Sequence, residues 1–303
     1  MKRRILVLGS EHFVAARVLQ ALAAGDWATP VPFSGPPASL SEAHLAGFDS
    51  VFNGSLGRPD AILEPAQALY GALEHISSGP RVVHLSSMTV YGTRTGAVVE
   101  NAALRSDLGA YGAAQVTAES LAMHYPRSVI LRPGCEYGPD CPQWSERIAR
   151  LVCSHRLGDL GAAGDGVCNL LFVDDLVEAI LKSLRAPGID GACFNLAMRS
   201  PPTWNEYFIR FARALGAVPV SRIGARRLKI EARLAAPPLK LLEMMQRRLG
   251  SASVIPPAIT PSLLNLCSQN ITLLSGKAEE ALDLAWTPLH EGLQRAAAAF
   301  KCT

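Results

Sequence analysis

The chain alternates between two hydrophobic patterns. Short apolar runs without polar alternation occur at residues 4–8, 48–54, 81–87, 128–134, 169–175 and 192–197. Such runs are typical of parallel strands that are buried on both faces. Between them, apolar residues recur at helical spacing, at residues 13–24, 60–76, 106–125, 144–155 and 176–184. The alternation predicts an α/β fold, a doubly wound parallel sheet with helices on both faces.

The pattern changes after residue 200. TWNE (203–206) is a capping box that opens a helix. A basic, proline-punctuated region follows at 222–261, with a predicted amphipathic helix at 238–249, and the chain closes with a turn and a terminal helix. We therefore predict a second, smaller C-terminal lobe.

Composition excludes few functional classes. The chain has 303 residues, about half of them apolar, which is enough for a large core. A net charge of +3 without a dense Lys/Arg run argues against a nucleic-acid partner. No apolar window is long enough to predict a membrane span. The seven cysteines lack metal-ligand spacing, so we expect reduced thiols, no metal site and a cytoplasmic location.

Gly9 lies where a dinucleotide-binding fold has its phosphate loop, between the first strand and the first helix. Glycines there allow a tight turn, close approach of the backbone to pyrophosphate, and close packing of helix on strand. The first glycine position is Gly9, the second is His12 and the third is Ala15. Three roles are open to the His12 side chain: it could fill the space of the missing glycine, contact a phosphate, or act as a base. A structural or solvent-facing role is the simpler interpretation.

Further motifs follow the glycine turn in a fixed order: SSMTVYG (86–92), YGAAQVTAE (111–119), RPGCEYGP (132–139), LFVDDLVEA (171–179) and LDLAWTPLHEGL (282–293). Together with ILVLGSEHFVA (5–15), they resemble an extended short-chain dehydrogenase/reductase of the NAD-dependent epimerase/dehydratase family. The resemblance spans nearly the whole chain. It implies a Rossmann-type domain at 1–165 and 168–200, with 201–303 forming most of a substrate-binding lobe.

The resemblance also implies a mechanism. Ser87 would hold the substrate oxygen, and Tyr111 would be the general acid or base. The family has a Lys four residues after the Tyr, which stabilises the phenolate and binds the nicotinamide ribose, but this chain has Gln115. Gln115 can still bind the ribose. Because it carries no charge, the phenol pKa should stay higher, by roughly one to a few units, and proton transfer should slow.

Other departures affect the adenine end of the site. An acidic residue for NAD, or an Arg for NADP, usually follows the second strand. Here the predicted second strand, 31–33, is weakened by Pro30 and Pro32 and is followed by Ser34. Too few residues separate positions 33 and 48 for the family's third strand and helix. NAD and NADP are therefore not distinguished.

The resemblance implies the remaining contacts. Predicted cofactor-binding residues are Gly9, Glu11, His12, Phe13, Ser34, Asn53, Gln115, Arg132 and Pro133. Predicted substrate-binding residues are Ser87, Met88, Thr89, Cys135, Glu136, Asn169 and Arg226. Asp174 and Asp175 are expected to cap a helix.

Three functional hypotheses follow. The first is an NAD(P)-dependent epimerase, dehydratase or reductase acting on a hydroxyl or carbonyl group of a small molecule, either a nucleotide sugar or a biosynthetic intermediate. The second is a non-redox isomerase, cyclase or lyase on the same fold, with an absent or structural cofactor. The third is a non-catalytic member that binds a ligand or a partner. The resemblance also implies a homodimer that pairs helices 59–76 and 106–125.

Overall fold

The computed structural model describes residues 2–74, 76, 79–235 and 257–300, without the side chains of residues 229, 234 and 235. The chain divides into two compact units. The first contains Met1–Gly134, Val173–Arg199 and Leu273–Trp286. The second contains Cys135–Phe172, Ser200–Thr272 and Thr287–Thr303. Residues 135–165 and 168–172 thus group with the second unit, and 273–286 with the first. Which unit binds which ligand stays a prediction.

The strands are β1 Arg3–Leu8, β2 Ala28–Pro32, β3 Ser50–Asn53, β4 Arg81–Leu85, β5 Gly96–Val98, β6 Ser128–Pro133, β7 Cys135–Tyr137, β8 Leu170–Phe172, β9 Cys193–Leu196 and β10 Ile271–Leu273. The α-helices are α1 Phe13–Ala24, α2 Glu42–Leu45, α3 Pro59–Leu73, α4 Gly109–His124, α5 Arg147–Cys153, α6 Val173–Ser183, α7 Trp204–Ala214, α8 Ala225–Ile230, α9 Pro261–Cys267, α10 Gly276–Leu282 and α11 Leu289–Ala298. Single turns of 3-10 helix occur at Pro37–Ser39, Met88–Tyr91 and Gly161–Gly164, and π-helical turns at Pro142–Glu146 and Glu231–Ala235.

The first unit contains a six-stranded parallel sheet in the order β2-β1-β3-β4-β6-β9. This confirms the predicted Rossmann-type α/β fold. The prediction that the family's third strand is missing is also confirmed. Between β2 and β3 the chain forms only the Pro37–Ser39 turn and α2, so β2 is the edge of the sheet.

Two prolines remove hydrogen-bond donors from the outer side of this edge strand. The Phe33 N–H donates to the Val7 carbonyl at 2.9 Å, so alternate N–H groups of β2 point toward β1. The nitrogens of Pro30 and Pro32 therefore point outward, and neither carries a hydrogen to donate. Within β2 this leaves only the Ala28 N–H pointing outward, and an edge strand with so few outward donors is a poor template for adding another strand.

Helices α3 and α4 pack on each other and on one face of the sheet. Leu6, Val51 and Val82 point from the strands into this core, where α4 contributes Ala114, Ala118 and Ala122. Small alanine side chains let α4 approach the strands closely. The first half of α4 is thereby held beside the carboxyl ends of the strands.

In the second unit, β7 and β8 pair in parallel, with Cys135 opposite Leu170. The capping box of α7 is confirmed: Thr203 Oγ1 accepts from the Glu206 N–H at 3.1 Å, and Glu206 Oε2 accepts from the Thr203 N–H at 2.8 Å. Aromatic rings pack around α7, namely Trp144, Trp204, Tyr207, Phe208 and Phe211.

Some local predictions were wrong. The predicted helix at 144–155 begins as the π-helical turn Pro142–Glu146 and ends at Cys153. Asp174 and Asp175 were expected to cap helix α6, but the helix begins at Val173 and both residues lie in its first turn. Their negative charges there interact favourably with the helix dipole. Cys153 is disulfide-bonded, which contradicts the expected reduced thiol there. The predicted helix at 238–249 lies outside the described residues.

None of the helices in the described part of the chain combines the length and the apolar character that a membrane crossing requires. In the same residues, no group of three or more His, Cys, Asp or Glu side chains could hold a metal ion.

Candidate functional site

The turn after β1 is held against the turn after β3. Gly9 has φ +72°, and a β-carbon on it would lie 2.8 Å from the backbone N and Cα of Ser55. Both the dihedral angle and the close approach therefore require glycine. The two turns lie at the carboxyl ends of adjacent parallel strands, where open α/β sheets bind ligands.

Ala15 replaces the third glycine of the motif, and its packing partner is Gly54. A β-carbon on Gly54 would lie 2.9 Å from the Ala15 β-carbon. Ala15 itself is fully buried. The glycine missing from α1 is thus matched by a glycine after β3, and the close approach of helix to strand is kept.

His12 is the N-cap residue of α1, without a capping bond from its side chain. Its N–H donates to the Gly9 carbonyl at 2.9 Å, which closes the turn. The imidazole lies 3.4 Å from the Glu11 carboxylate and 3.6 Å from the position of a β-carbon on Gly57. The ring therefore lies beside the turn after β3. The next residue, Phe13, stacks under the Arg17 guanidinium at 4.9 Å.

Asn53 was predicted to bind the cofactor, but its amide is used inside the protein. Asn53 Oδ1 accepts from the Ser55 N–H at 3.2 Å, and its Nδ2 lies 3.3 Å from His84 Nδ1. Since the first bond fixes the amide orientation, Nδ2 donates to His84 Nδ1, and the imidazole proton is on Nε2. Burial lowers the pKa of His84 to about 4. The Tyr70 hydroxyl lies 3.2 Å from the same nitrogen.

Gly54 and Ser55 were not among the predicted site residues. The Ser55 hydroxyl is buried and has no hydrogen-bond partner among the described residues. The signal available was the polar triplet Asn53-Gly54-Ser55 directly after an apolar strand. Ser34, in contrast, is exposed after β2, where the neighbouring Phe33 packs edge-on against His44 at 5.8 Å.

The SSMTVYG motif forms the turn that follows β4. Ser87 is the N-cap of the Met88–Tyr91 turn, and its Oγ accepts from the Thr89 N–H at 3.3 Å. Met88 is buried. The Thr89 hydroxyl is buried without a partner among the described residues. A polar ligand group at this turn would satisfy it.

Tyr111 and Gln115 lie one turn apart on α4, beside the Ser87 turn. A β-carbon on Gly112 would lie 3.6 Å from the Thr89 carbonyl oxygen, so α4 contacts the turn closely. Gln115 Nε2 donates to the Tyr111 hydroxyl oxygen at 3.1 Å. Tyr111 is 36% exposed, whereas Gln115 is fully buried and its Oε1 has no partner among the described residues. The Gln115 amide thus contacts the phenol directly, at the position where the family has a Lys.

Arg132 was also predicted to contact the cofactor, and that contact stays a prediction. Its side chain is 1% exposed and forms an ion pair with Glu119. Burial would lower the pKa of Arg132, but the hydrogen bonds and charge of Glu119 outweigh burial and raise it. Pro133 ends β6 opposite Leu196, and a contact from it to the cofactor stays a prediction.

The other predicted substrate residues lie in the second unit. Cys135 and Asn169 are buried; the Cys135 N–H donates to the Asn169 carbonyl at 2.7 Å, and Asn169 Nδ2 donates to the Ile271 carbonyl at 2.8 Å. Burial raises the pKa of the Cys135 thiol well above its usual value, which makes it a poor nucleophile. Burial also raises the pKa of Glu136, which keeps some contact with solvent, to about 7. Arg226 is exposed on α8.

The chain is similar to one protein family and to several solved structures. The profile of the NAD dependent epimerase/dehydratase family matches residues 43–197, just over half of the chain. No curated protein matches it by sequence.

Three solved structures have a similar fold. UDP-glucuronic acid 4-epimerase from Bacillus cereus, solved with UDP-glucuronic acid and NAD, has a TM-score of 0.72 at 18% identity, with 98% of each chain covered. RMD from Pseudomonas aeruginosa, solved with NADPH, has a TM-score of 0.72 at 16% identity, covering 98% of this chain and 99% of its own. A human epimerase family protein (isoform 2), solved with NADPH, has a TM-score of 0.72 at 17% identity, covering 98% of this chain and 100% of its own. At these identities the likeness shows the fold.

Proposed function

Because the chain belongs to the NAD dependent epimerase/dehydratase family, we propose that it binds NAD or NADP and acts on a hydroxyl or carbonyl group of a small molecule. The proposed substrate is a nucleotide sugar or a biosynthetic intermediate. The fold's likeness to an epimerase solved with UDP-glucuronic acid and NAD supports this choice. The observation that carries the proposal is the 3.1 Å hydrogen bond between Gln115 and Tyr111.

Three features of the first unit fit a dinucleotide. Gly9 leaves its turn without a side chain, and the N-terminus of α1 offers backbone N–H groups to an anion. The buried Ser55 hydroxyl lacks a protein partner among the described residues, so a ligand oxygen would satisfy it. Gly9, Glu11, His12, Phe13 and Ser55 would hold the phosphate part, and Gln115 the nicotinamide ribose. When bound, the nicotinamide supplies hydride transfer.

The chain's own contribution is proton transfer at Tyr111. Its hydroxyl would give a proton to the substrate oxygen, or take one from it, while Ser87 and Thr89 orient that oxygen. Gln115 donates to the phenol oxygen, so the amide contacts the atom at which the proton would be exchanged. The partnerless Thr89 hydroxyl supports a substrate contact here.

Replacing the family's Lys with Gln should slow one direction of proton transfer at Tyr111 more than the other. A cation within about 4–6 Å typically lowers the pKa of a neighbouring acid by 1–3 units, whereas a neutral donor does much less. The step in which Tyr111 accepts a proton should therefore be slow near neutral pH and should accelerate as pH rises. The step in which Tyr111 donates a proton depends less on that charge.

Direct binding of NAD+, NADH, NADP+ and NADPH to the purified protein, measured by calorimetry, tests the proposal. Binding of at least one form is expected, and Gly9→Ala should weaken it at least about tenfold because the added β-carbon meets the Ser55 backbone. Gly188→Ala is the matched control: Gly188 also has positive φ, +71°, but a β-carbon there has no neighbour within 4 Å. Failure of all four forms to bind at millimolar concentration would refute the proposal.

The uncharged Gln115 favours one alternative, non-redox chemistry on the same fold. Isomerisation, cyclisation or elimination would then use Ser87 and Tyr111 to polarise the substrate, with His12 as a further base. Turnover without any dinucleotide, abolished by Tyr111→Phe, would support this alternative. A protein that binds no dinucleotide and is unaffected by Tyr111→Phe would instead be a non-catalytic binding protein.

We also propose a homodimer formed through α3 and α4, as the family resemblance implies. The two helices pack side by side, and Met123 on α4 is 58% exposed. A monomeric mass by light scattering at micromolar concentration would refute the dimer. The cytoplasmic location stays a prediction.

A further inference from the structure

Glu119 and Arg132 form a fully buried ion pair behind the proposed site. The two side chains are 0% and 1% exposed. Arg132 Nη2 donates to Glu119 Oε1 at 2.5 Å, and Arg132 Nε donates to the same oxygen at 3.0 Å. Glu119 lies on α4 one turn after Gln115, and Arg132 lies near the carboxyl end of β6. The pair therefore joins the Tyr111 helix to the sheet.

The remaining hydrogen bonds of the pair reach both ends of the SSMTVYG turn. Ser86 Oγ donates to Glu119 Oε2 at 2.5 Å, directly before Ser87. Arg132 Nη1 donates to the Tyr91 hydroxyl oxygen at 2.7 Å, at the far end of the turn. The same group donates to the Glu100 carbonyl at 2.8 Å. The SSMTVYG turn and helix α4 are thus both held by the Glu119–Arg132 ion pair.

Tyr91 extends the network to the last strand of the sheet. Its hydroxyl donates to Asn195 Oδ1 at 2.6 Å, and the Asn195 N–H donates to Glu100 Oε1 at 2.9 Å. Every member that contacts the ion pair is therefore itself hydrogen-bonded. A fully satisfied buried network is rigid and specifies one geometry.

We infer that Glu119 and Arg132 are positioning residues that hold the Ser87–Thr89 turn in register with Tyr111 and Gln115. Stability alone does not account for them, because a buried ion pair is often no more stabilising than apolar residues of similar volume. Their bonds go instead to the two segments whose separation sets the proton-transfer distance. The catalytic consequence rests on the proposed function, whereas the mechanical coupling does not.

Amide hydrogen exchange of the full chain tests the coupling without a substrate. Ser86→Ala removes only the hydroxyl that donates to Glu119 and leaves the ion pair in place. We expect exchange to accelerate about 10- to 100-fold in both the 87–92 turn and the first two turns of α4, the range that loss of a charged hydrogen bond implies. Ser50→Ala is the matched control, since Ser50 is also buried and donates to the Leu184 carbonyl at 3.3 Å.

The outcomes separate the inference from the proposed function. Unchanged exchange in either segment of Ser86→Ala, or equal acceleration in Ser50→Ala, would overturn the inference whether or not the protein binds a dinucleotide. Glu119→Gln should accelerate exchange in the same two segments, and if it does not fold, Ser86→Ala still decides. In a turnover assay, Ser86→Ala should lower kcat at least about tenfold, with the dinucleotide Kd within about twofold of wild type.

Discussion

Removing the imidazole of His84 should change how stability depends on pH. His84 lies in β4, 2% exposed, and burial lowers its pKa to about 4, against an ordinary value of 6.5. Near pH 7 the imidazole is neutral in both the folded and the unfolded protein. Below pH 6.5 the unfolded chain binds a proton that the folded protein refuses, so stability falls until about pH 4 and then levels off.

The size of the His84 pKa shift determines how much unfolding free energy is lost. A difference of 2.5 pH units, from 6.5 to about 4, corresponds to about 3 kcal/mol of lost unfolding free energy. Protonation of Nδ1 would also remove the acceptor for the Asn53 amide, which holds the Ser55 turn against Gly9. The proposed phosphate loop should therefore loosen in the same pH window.

The assay is urea unfolding of wild type and His84→Gln from pH 8 to pH 4. The free-energy difference between the two proteins should change by about 2–3 kcal/mol across that window, since only wild type has the buried titrating group. His290→Gln is the control, because His290 is exposed. Parallel curves for wild type and His84→Gln would refute the reasoning, as would an NMR titration of the His84 ring with a midpoint near 6.5.

Three further outcomes are expected. Gln115→Lys should raise redox turnover at neutral pH if hydride transfer is native, because the added cation stabilises the phenolate of Tyr111; unchanged or lower turnover would contradict that role. Pro30→Val with Pro32→Val should cause concentration-dependent self-association in light scattering, because two outward N–H donors appear on the sheet edge, whereas Thr29→Val, whose N–H points toward β1, should not. Glu136→Gln should stabilise the protein by about 1–2 kcal/mol at pH 8 and little at pH 5: a folded carboxyl pKa of about 7 means that ionisation costs stability as pH rises. Equal stability of the Glu136→Gln variant and wild type at pH 8 would contradict the raised pKa.

The elements were predictable because their signals are local. Helix α1 was predicted with its observed bounds, 13–24, and the short segment between residues 33 and 48 was enough to show that a strand is missing. The buried polar networks were not predictable in the same way. His84 pairs with Asn53, 31 residues away, and no local pattern states which polar residues will meet.

A weaker signal for these networks was present. His84 and Ser86 stand two residues apart at the end of the run, where residues 82, 83 and 85 are apolar, so an extended chain points both to the same side. A polar residue inside a fully buried strand must find a hydrogen-bond partner. That requirement predicts a network, but the fold decides which residues belong to it. Packing pairs Arg132, for example, with Glu119.

The departures from the family's glycine and Lys pattern are therefore not equivalent. Ala15 in place of glycine is offset by Gly54, which faces it and restores the close approach of helix to strand. The His12 imidazole lies beside Gly57, at the turn after β3. Gln115 keeps a hydrogen bond to Tyr111 but brings no charge. The shape of the loop is thus retained while the charge that speeds proton transfer is lost, so dinucleotide binding should survive better than turnover.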